Sequence, residues 1–354
     1  MNPASPKRSA IRVVVVDDSD ICCEVLTEQL EADGDIQVVG TAHNGRTALA
    51  RLAATKPDVV TVDLNMPGMN GLALIEAIMV DDPRPILVVT GLDAKDRDLA
   101  VAATARGALE LVNKARAQDE QASAALRASV RRLATVAVNR VTPTASQPVM
   151  GSTWPTPHAA DQPYTPIVGF GSSAGGPQAL FEILTALPSD LPAAIAITHH
   201  LPADFGSAFA RLLRSQVHFD VEVAHEPIVP SPGLLVLAPG GMDLVLEAGS
   251  LRAHRPATTA LLCPSVDVLL TSLAAAPGAH VGVVLSGLGL DGSAGLAAML
   301  AAGKLTIVQH RASAAVWGMP RAALPSALEV LDTAAIGDAI VRWVRERARL
   351  RGHR

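Results

Sequence analysis

Aromatic residues, cysteines and long apolar runs are all scarce in this chain. Only 3% of its 354 residues are aromatic, although 49% are hydrophobic, so we expect cores built from Ala, Val, Leu and Ile. No apolar run reaches the roughly 18 residues that a membrane span requires, and none precedes Ile11 as a secretory signal would. The three cysteines, an odd number, form no metal-ligand pattern. These absences predict a cytoplasmic protein with no membrane insertion.

Net positive charge is lacking as well. The formal net charge is −5, which argues against a nucleic-acid partner. The locally basic stretch 342–354 is interpreted as the solvated end of a helix.

The length of the chain predicts two or three domains, each long enough to bury a core.

Five short apolar runs alternate with helical patterns in the first third of the chain. This alternation predicts a doubly wound parallel sheet. The runs cover 11–16, 36–39, 58–62, 86–89 and 109–112. Such sheets bind ligands at the carboxyl ends of their strands, where the chain places polar residues: Asp17, Asp18, Asp63, Thr90 and Lys114.

Three carboxylates at one sheet edge repel one another unless a cation lies between them. Oxygen ligands suit Mg²⁺, and a lysine beside them suits an acyl phosphate on one aspartate. The alternative for Asp17 and Asp18 is an ordinary turn with a helix cap. That alternative does not account for Asp63, Thr90 and Lys114 at successive strand ends.

The segments Val16-Asp17-Asp18-Ser19 and 62–71, VDLNMPGMNG, resemble the receiver domain of two-component response regulators. Together with Thr90 and Lys114, the resemblance covers residues 10 to about 125. It implies that Asp63 accepts a phosphoryl group from a sensor histidine kinase. It also implies that Asp17 and Asp18 help to hold Mg²⁺ and that Thr90 and Lys114 contact the phosphate.

A proline-rich segment separates the two halves of the chain. Residues 115–138 have a helical pattern rich in Ala and Arg, whereas 141–166 contain six prolines among Thr, Ser and Ala, which is typical of a linker. The predicted domains are therefore a disordered N-terminus at 1–9, a receiver at 10–125, a helix extension with linker at 126–163, and a catalytic domain at 164–350.

A small-residue turn opens the second half. The apolar strand 167–170 is followed by Gly171-Ser172-Ser173-Ala174-Gly175-Gly176 and then by a helix with proline in its first turn. Gly171-x-Ser173-x-Gly175 fits the pattern that exposes a nucleophilic serine on a sharp bend. The alternatives are a plain glycine-rich turn or a phosphate cradle of the dinucleotide-binding type.

Two further strand ends supply the partners that a serine nucleophile needs. Strand 193–198 ends at His199-His200, and strand 280–285 is followed by Asp291. A histidine can act as the base, and a carboxylate can orient it. From the residues alone, either histidine could face Ser173, and Asp291 could instead cap the helix that follows it. We also expect 322–331 to be mainly helical.

The order Ser, His, Asp disfavours an α/β-hydrolase fold. This order and the surrounding motifs instead resemble the catalytic domain of the chemotaxis protein-glutamate methylesterases. The resemblance rests on GSSAGG at 171–176, ITHHLP at 197–202, PSVDVL at 264–269, LSGLGLDG at 285–292 and GMPR at 318–321. It implies Ser173 as nucleophile, His200 rather than His199 as base, and Asp291 as the third member of a triad.

The combined resemblance implies two doubly wound α/β domains: a five-stranded parallel receiver sheet and a mainly parallel hydrolytic domain. It implies a phosphorylation-regulated methylesterase that acts on the cytoplasmic helices of chemoreceptors, with glutamine deamidation as a side activity. It also implies no cofactor for hydrolysis. The alternatives are a catalytically degenerate signalling adaptor that binds receptor or kinase, and a DNA-binding regulator. The acidic net charge and the lack of a convincing helix-turn-helix argue against the latter.

Overall fold

The computed structural model describes residues 10–91, 93–114, 119–140, 164–256 and 263–352. These residues form two compact units, one ending at Val138 and the other beginning at Asn139. The predictions for residues 1–9 and for the linker at 141–163 lie outside the described residues.

The first unit is a five-stranded parallel sheet with the order β2-β1-β3-β4-β5, which confirms the predicted receiver fold. Its strands are β1 Ile11–Val16, β2 Ile36–Ala42, β3 Val59–Val62, β4 Ile86–Thr90 and β5 Glu110–Asn113. Its helices are α1 Asp20–Glu31, α2 Gly45–Thr55, α3 Gly71–Asp81, α4 Ala94–Ala105 and α5 Glu120–Leu133. Helix α5 extends past the predicted domain boundary at 125.

Local sequence explains where these elements begin. Each of the five helices starts after a side chain whose oxygen accepts a backbone N–H of the first turn: Ser19, Asn44, Asn70, Asp93 and Asp119. The inner strands are continuous apolar runs; Val13, Val14 and Val15 of β1 are fully buried. Strands covered by helices on both faces require such runs.

The second unit is built on a seven-stranded parallel sheet with the order β14-β13-β12-β6-β7-β9-β8, and β10 and β11 form a separate antiparallel hairpin. This architecture confirms the predicted mainly parallel α/β domain. The strands are β6 Ile167–Ser172, β7 Ala194–His199, β8 Asp220–Val223, β9 Leu234–Leu237, β10 Asp243–Glu247, β11 Ser250–His254, β12 Val281–Val284, β13 Leu305–Gln309 and β14 Glu329–Leu331. The helices are α6 Gly176–Ala186, α7 Gly206–Gln216, α8 Val266–Ala275, α9 Ser293–Ala301, α10 Gly318–Ala323 and α11 Thr333–Gly352.

The expectation of a mainly helical segment at 322–331 is wrong. Helix α10 ends at Ala323, a 3₁₀ turn covers Leu324–Ser326, and β14 pairs in parallel with β13. Pro325 ends the helical pattern because its ring cannot continue an α-helix. The free edge of β13 then gives Glu329–Leu331 a pairing partner that the local sequence does not reveal.

The register of the central strands positions the second unit's functional side chains. Strand β6 lies between β7 and β12, with Ser172 opposite His199 and Gly171 opposite Val284. The chain therefore leaves the sheet at the same level on three adjacent strands. Across the described part of the chain, every helix is too short or too polar to span a bilayer.

Candidate active site and phosphorylation site

The turn that carries Ser173 depends on small residues. Gly175 has φ +72°, a left-handed conformation that favours glycine. A Cβ at this position would also lie 2.6 Å from Cβ of Ala315. The turn is closed by the backbone N–H of Gly176, which donates to the Ser173 carbonyl at 2.8 Å. These constraints place Ser173 on a sharp bend directly after β6.

Ser286, which the sequence analysis did not single out, fixes that turn to the neighbouring loops. Its carbonyl accepts the Ser173 N–H at 3.0 Å, and its hydroxyl donates to the Ala174 carbonyl at 2.8 Å. The same hydroxyl accepts the Val316 N–H at 2.9 Å, and the Ser286 N–H donates to Oε1 of Gln309 at 2.7 Å. Ser286 is fully buried. A serine within a strand-end loop carries no sequence signal for such a bridging role.

His200 lies beside the nucleophile turn and contacts Asp291. Its backbone N–H donates to the carbonyl of Ser172 at 3.1 Å, so His200 and Ser173 occupy neighbouring positions on adjacent strand ends. Nε2 of His200 lies 2.7 Å from Oδ2 of Asp291. Because an ionised carboxylate can only accept a hydrogen bond, Nε2 carries the N–H that donates to Asp291, and the unprotonated nitrogen of a neutral His200 is Nδ1.

Asp291 also accepts hydrogen bonds from the start of α8. Its Oδ2 accepts the Val266 N–H at 2.7 Å, and its Oδ1 accepts the Asp267 N–H at 2.9 Å. The alternative prediction that Asp291 caps the helix following it is therefore wrong in detail. Helix α9 begins after Gly292 with no side-chain cap, whereas Asp291 caps α8.

The charge of Asp291 is strongly stabilised. Burial would raise the pKa of its carboxyl, but the hydrogen bonds from His200 and from the Asp267 and Val266 backbones outweigh burial and lower the pKa to about 2. The carboxylate is therefore ionised at neutral pH. An ionised, immobile carboxylate can both orient an imidazole and stabilise an imidazolium.

Ser265 precedes α8 but contacts Asp291 instead of capping the helix with its own side chain. It occupies the N-cap position of α8, but its side chain makes no capping bond there. Instead its hydroxyl donates to Oδ1 of Asp291 at 2.9 Å. The sequence shows only a serine before a helix. The fold reveals that the carboxylate of Asp291, 26 residues later, caps that helix.

His199 faces a different set of partners. It is buried, its Nδ1 lies 2.9 Å from Oγ of Ser172, and its ring centroid lies 5.0 Å from that of Phe209. Burial, with a smaller effect from His200, lowers the pKa of His199 to about 3. The two consecutive histidines thus point to different surroundings, and His200 is the one that contacts the Asp291 carboxylate.

In the first unit, the predicted acidic residues lie together. Carboxylate oxygens of Asp17, Asp18 and Asp63 are within 4.8 Å of one another. Nζ of Lys114 lies 2.8 Å from Oδ2 of Asp17 and 3.0 Å from Oδ1 of Asp63. Thr90 ends β4 and is fully buried, and no described atom hydrogen-bonds its hydroxyl.

Burial and charge oppose each other at this cluster. Burial raises the pKa of Asp63 despite the neighbouring Lys114. Burial alone would lower the pKa of Lys114, but the hydrogen bond with Asp17 and the charge of Asp63 outweigh it and raise that pKa. Three oxygen donors, two of them on buried carboxylates, match the ligands that Mg²⁺ prefers. The cluster therefore fits a divalent cation.

Comparisons with known proteins agree with this geometry. Residues 13–126 match the response regulator receiver domain, and residues 168–340 match the CheB methylesterase family. The chain is 35% identical to a protein-glutamate methylesterase/protein-glutamine glutaminase of Geobacillus kaustophilus, over 95% of this chain and 99% of the relative. It is 39% identical to protein-glutamate methylesterase/protein-glutamine glutaminase 5 of Myxococcus xanthus, over 89% and 92%.

A crystal structure of the Thermotoga maritima CheB methylesterase catalytic domain is 29% identical and aligns with a TM-score of 0.48. It covers 51% of this chain and 100% of that domain. The sequence matches extend over almost the full length of the relatives from Geobacillus and Myxococcus, which confirms the resemblance seen in the motifs. The chain belongs to the CheB methylesterase family, with a response regulator receiver domain preceding its methylesterase domain.

Proposed function

We propose that this protein hydrolyses glutamyl methyl esters on the cytoplasmic helices of chemoreceptors, releasing methanol, and that it also deamidates glutamine there. The observation that carries the proposal is the 2.7 Å contact between His200 and Asp291, on loops adjacent to Ser173. The names of the relatives support the substrate class and both reactions.

In the proposed first step, Nδ1 of His200 accepts the proton of the Ser173 hydroxyl as Oγ attacks the ester carbonyl. Nδ1 has this role because Asp291 holds the proton on Nε2. When the tetrahedral intermediate collapses, the bond to the methoxy oxygen breaks and His200 returns its proton to that oxygen. Methanol leaves, and a glutamyl ester of Ser173 remains.

Backbone N–H groups of the nucleophile turn would stabilise the negative oxygen of that intermediate. The N–H of Ala174 directly follows the nucleophile, and among the described residues it donates to no acceptor. It also lies next to the N-terminus of α6, where negative charge is favoured. Ala174 is therefore our candidate for one oxyanion donor.

Water completes the reaction by the same route in reverse. His200 accepts a proton from water, the hydroxide attacks the acyl-enzyme, and Ser173 leaves as the protonated alcohol. The product is a glutamate side chain. For a glutamine substrate the leaving group of the first step is ammonia, which receives its proton from His200 in the same way.

We further propose that a sensor histidine kinase phosphorylates Asp63 and thereby raises hydrolytic activity. Asp17, Asp18 and Asp63 would hold Mg²⁺. When bound, the ion would neutralise part of the negative charge of the phosphoryl group. Lys114 lies within 3.0 Å of Asp63 and can pair with the phosphoryl oxygens. The buried Thr90 hydroxyl, with no partner among the described residues, is available as a further donor to the phosphate.

A covalent probe separates the hydrolase from a catalytically degenerate adaptor. A fluorophosphonate should phosphonylate Ser173 Oγ with loss of fluoride, because His200 can activate that hydroxyl. Mass spectrometry of a proteolytic digest should locate the label on Ser173. Ser173→Ala should abolish labelling, and His200→Ala should slow it by a factor of about 10² or more. A wild-type protein that stays unlabelled would favour the adaptor.

A further inference from the structure

A second serine–histidine pair lies directly before the proposed catalytic residues on the same two strands. Oγ of Ser172 lies 2.9 Å from Nδ1 of His199, and both side chains are buried. Ser172 ends β6, His199 ends β7, and the two are register partners. Ser173 and His200 are therefore the next residues after this pair.

The pair joins the strand ends through side chains as well as backbone. The His200 N–H donates to the Ser172 carbonyl at 3.1 Å, so the two strands are linked at two points immediately before the site. On α7, Phe209 packs against the His199 ring with an interplanar angle of 33°. The imidazole is thus held both by a hydrogen bond and by an aromatic neighbour.

The surroundings of the pair suit a positioning role rather than a chemical one. Ser172 is fully buried, so a substrate carbonyl cannot reach its hydroxyl. His199 is neutral at neutral pH because burial lowers its pKa to about 3. A neutral His199 places no second positive charge beside His200 when that residue carries the serine proton.

We propose that Ser172 and His199 are positioning residues that fix the separation and direction of Ser173 Oγ and His200 across the ends of β6 and β7. This inference rests on the proposed function, since it takes Ser173 as nucleophile and His200 as base. Nucleophilic attack requires a closely defined geometry. Loss of the pair should therefore lower kcat while KM for the receptor stays nearly constant.

The test uses Ser172→Ala, His199→Phe and the double variant in the full-length protein, with methanol release from a methylated receptor fragment as the assay. His199→Phe keeps a ring against Phe209 but removes Nδ1. Each single variant should lower kcat about tenfold with KM unchanged. The double variant should lose no more than either single variant, because both changes break the same hydrogen bond.

A rescue variant distinguishes positioning from general stability. In His199→Asn the amide can occupy the place of Nδ1 and bond to Ser172, so kcat should recover relative to His199→Phe even if the melting temperature falls. Single variants with full kcat, or losses that multiply in the double variant, would overturn the positioning role. Ser173→Ala is assayed in parallel: if it remains active, the proposed function itself fails.

Discussion

The Asp291 carboxylate contacts His200 through the same oxygen, Oδ2, that accepts the first backbone N–H of α8. The distance is 2.7 Å to Nε2 of His200 and also 2.7 Å to the N–H of Val266. One side chain therefore joins the proposed base to the N-terminus of α8. Helix capping and orientation of the proposed base are therefore compatible roles, because the same ionised carboxylate makes both contacts.

This double role predicts the behaviour of Asp291→Asn. The amide can present only one oxygen, so its NH₂ group must face either His200 and Val266 or Ser265 and Asp267, all of which donate to the carboxylate. Turnover should fall by a factor of at least about 10², because His200 loses its orienting anion. Stability should fall by about 1–3 kcal/mol from the buried donor left unpaired. Steady-state kinetics and urea unfolding measure the two effects; full activity in the folded variant would refute the triad.

Ser265→Ala should have a smaller effect of the same kind. The change removes one donor from Oδ1 of Asp291 but leaves the Asp267 N–H in place. We expect a stability loss of about 1 kcal/mol and a several-fold lower kcat. Ser272→Ala is the matched control, since Ser272 lies on the same helix and bonds to Leu269 and Leu246 instead. A control that loses as much activity as Ser265→Ala would contradict the assigned role.

The low pKa of Asp291 predicts how stability depends on pH. Despite burial, hydrogen bonds from His200 and from the start of α8 lower the pKa of the Asp291 carboxyl to about 2 in the folded protein, from an ordinary value of 3.8 in the unfolded chain. Its contribution to stability is complete above the unfolded pKa and disappears as the pH falls through the folded pKa. The contribution is on the order of 2 kcal/mol.

Comparison with Asp291→Asn isolates this contribution. Burial, with a smaller effect from the Asp291 charge, raises the pKa of the neighbouring Asp267, which acts in the opposite direction; burial, the larger cause, remains in both proteins. The first unit contains no tryptophan, whereas Trp317 and Trp343 lie in the second unit, so changes in tryptophan fluorescence follow unfolding of the second unit. The stability difference between the two proteins should shrink as the pH is lowered from about 5 to 2. A difference independent of pH would contradict the shifted pKa.

The sheet of each domain could be predicted because its strands are buried, continuous apolar runs such as Val13–Val15 and Ile195–Ile197. The functional side chains could be proposed because parallel strands place their carboxyl ends together. The edge strand β14 could not be predicted in this way. Its pairing with β13 depends on a partner 20 or more residues away, whereas local propensity favours a helix.

The contacts that support the site were less accessible to sequence reasoning. Ser265, Ser286 and Ser172 are ordinary small polar residues, and each gains its role from a partner that only the tertiary fold brings near. From the sequence, His200 could be chosen over His199 as the base only through a family resemblance. The structure adds a physical difference, because burial keeps one imidazole neutral and the other contacts a carboxylate.

Control by the receiver gives a prediction about Asp63. A small-molecule phosphodonor with Mg²⁺ should raise methylesterase activity of the intact protein, and Asp63→Asn should abolish that response while basal activity remains. Asp58→Asn is the matched control, since Asp58 precedes β3 and Asp63 follows it. A phosphodonor response that persists in Asp63→Asn would place the acceptor elsewhere. We also expect the unphosphorylated receiver to inhibit the methylesterase domain, so a fragment beginning at Tyr164 should be active without a phosphodonor. If that fragment is no faster than the unphosphorylated full-length protein, the receiver does not inhibit the methylesterase domain.

If Ser173 is the nucleophile that hydrolyses glutamyl methyl esters, the protein must release methanol from methylated receptors. Purified protein is mixed with chemoreceptor fragments carrying radiolabelled methyl esters, and volatile methanol is counted against time. We predict release by the wild-type protein and a loss of at least about 10³-fold in Ser173→Ala, with the folded structure retained. Methanol release by Ser173→Ala at the wild-type rate would exclude Ser173 as the nucleophile.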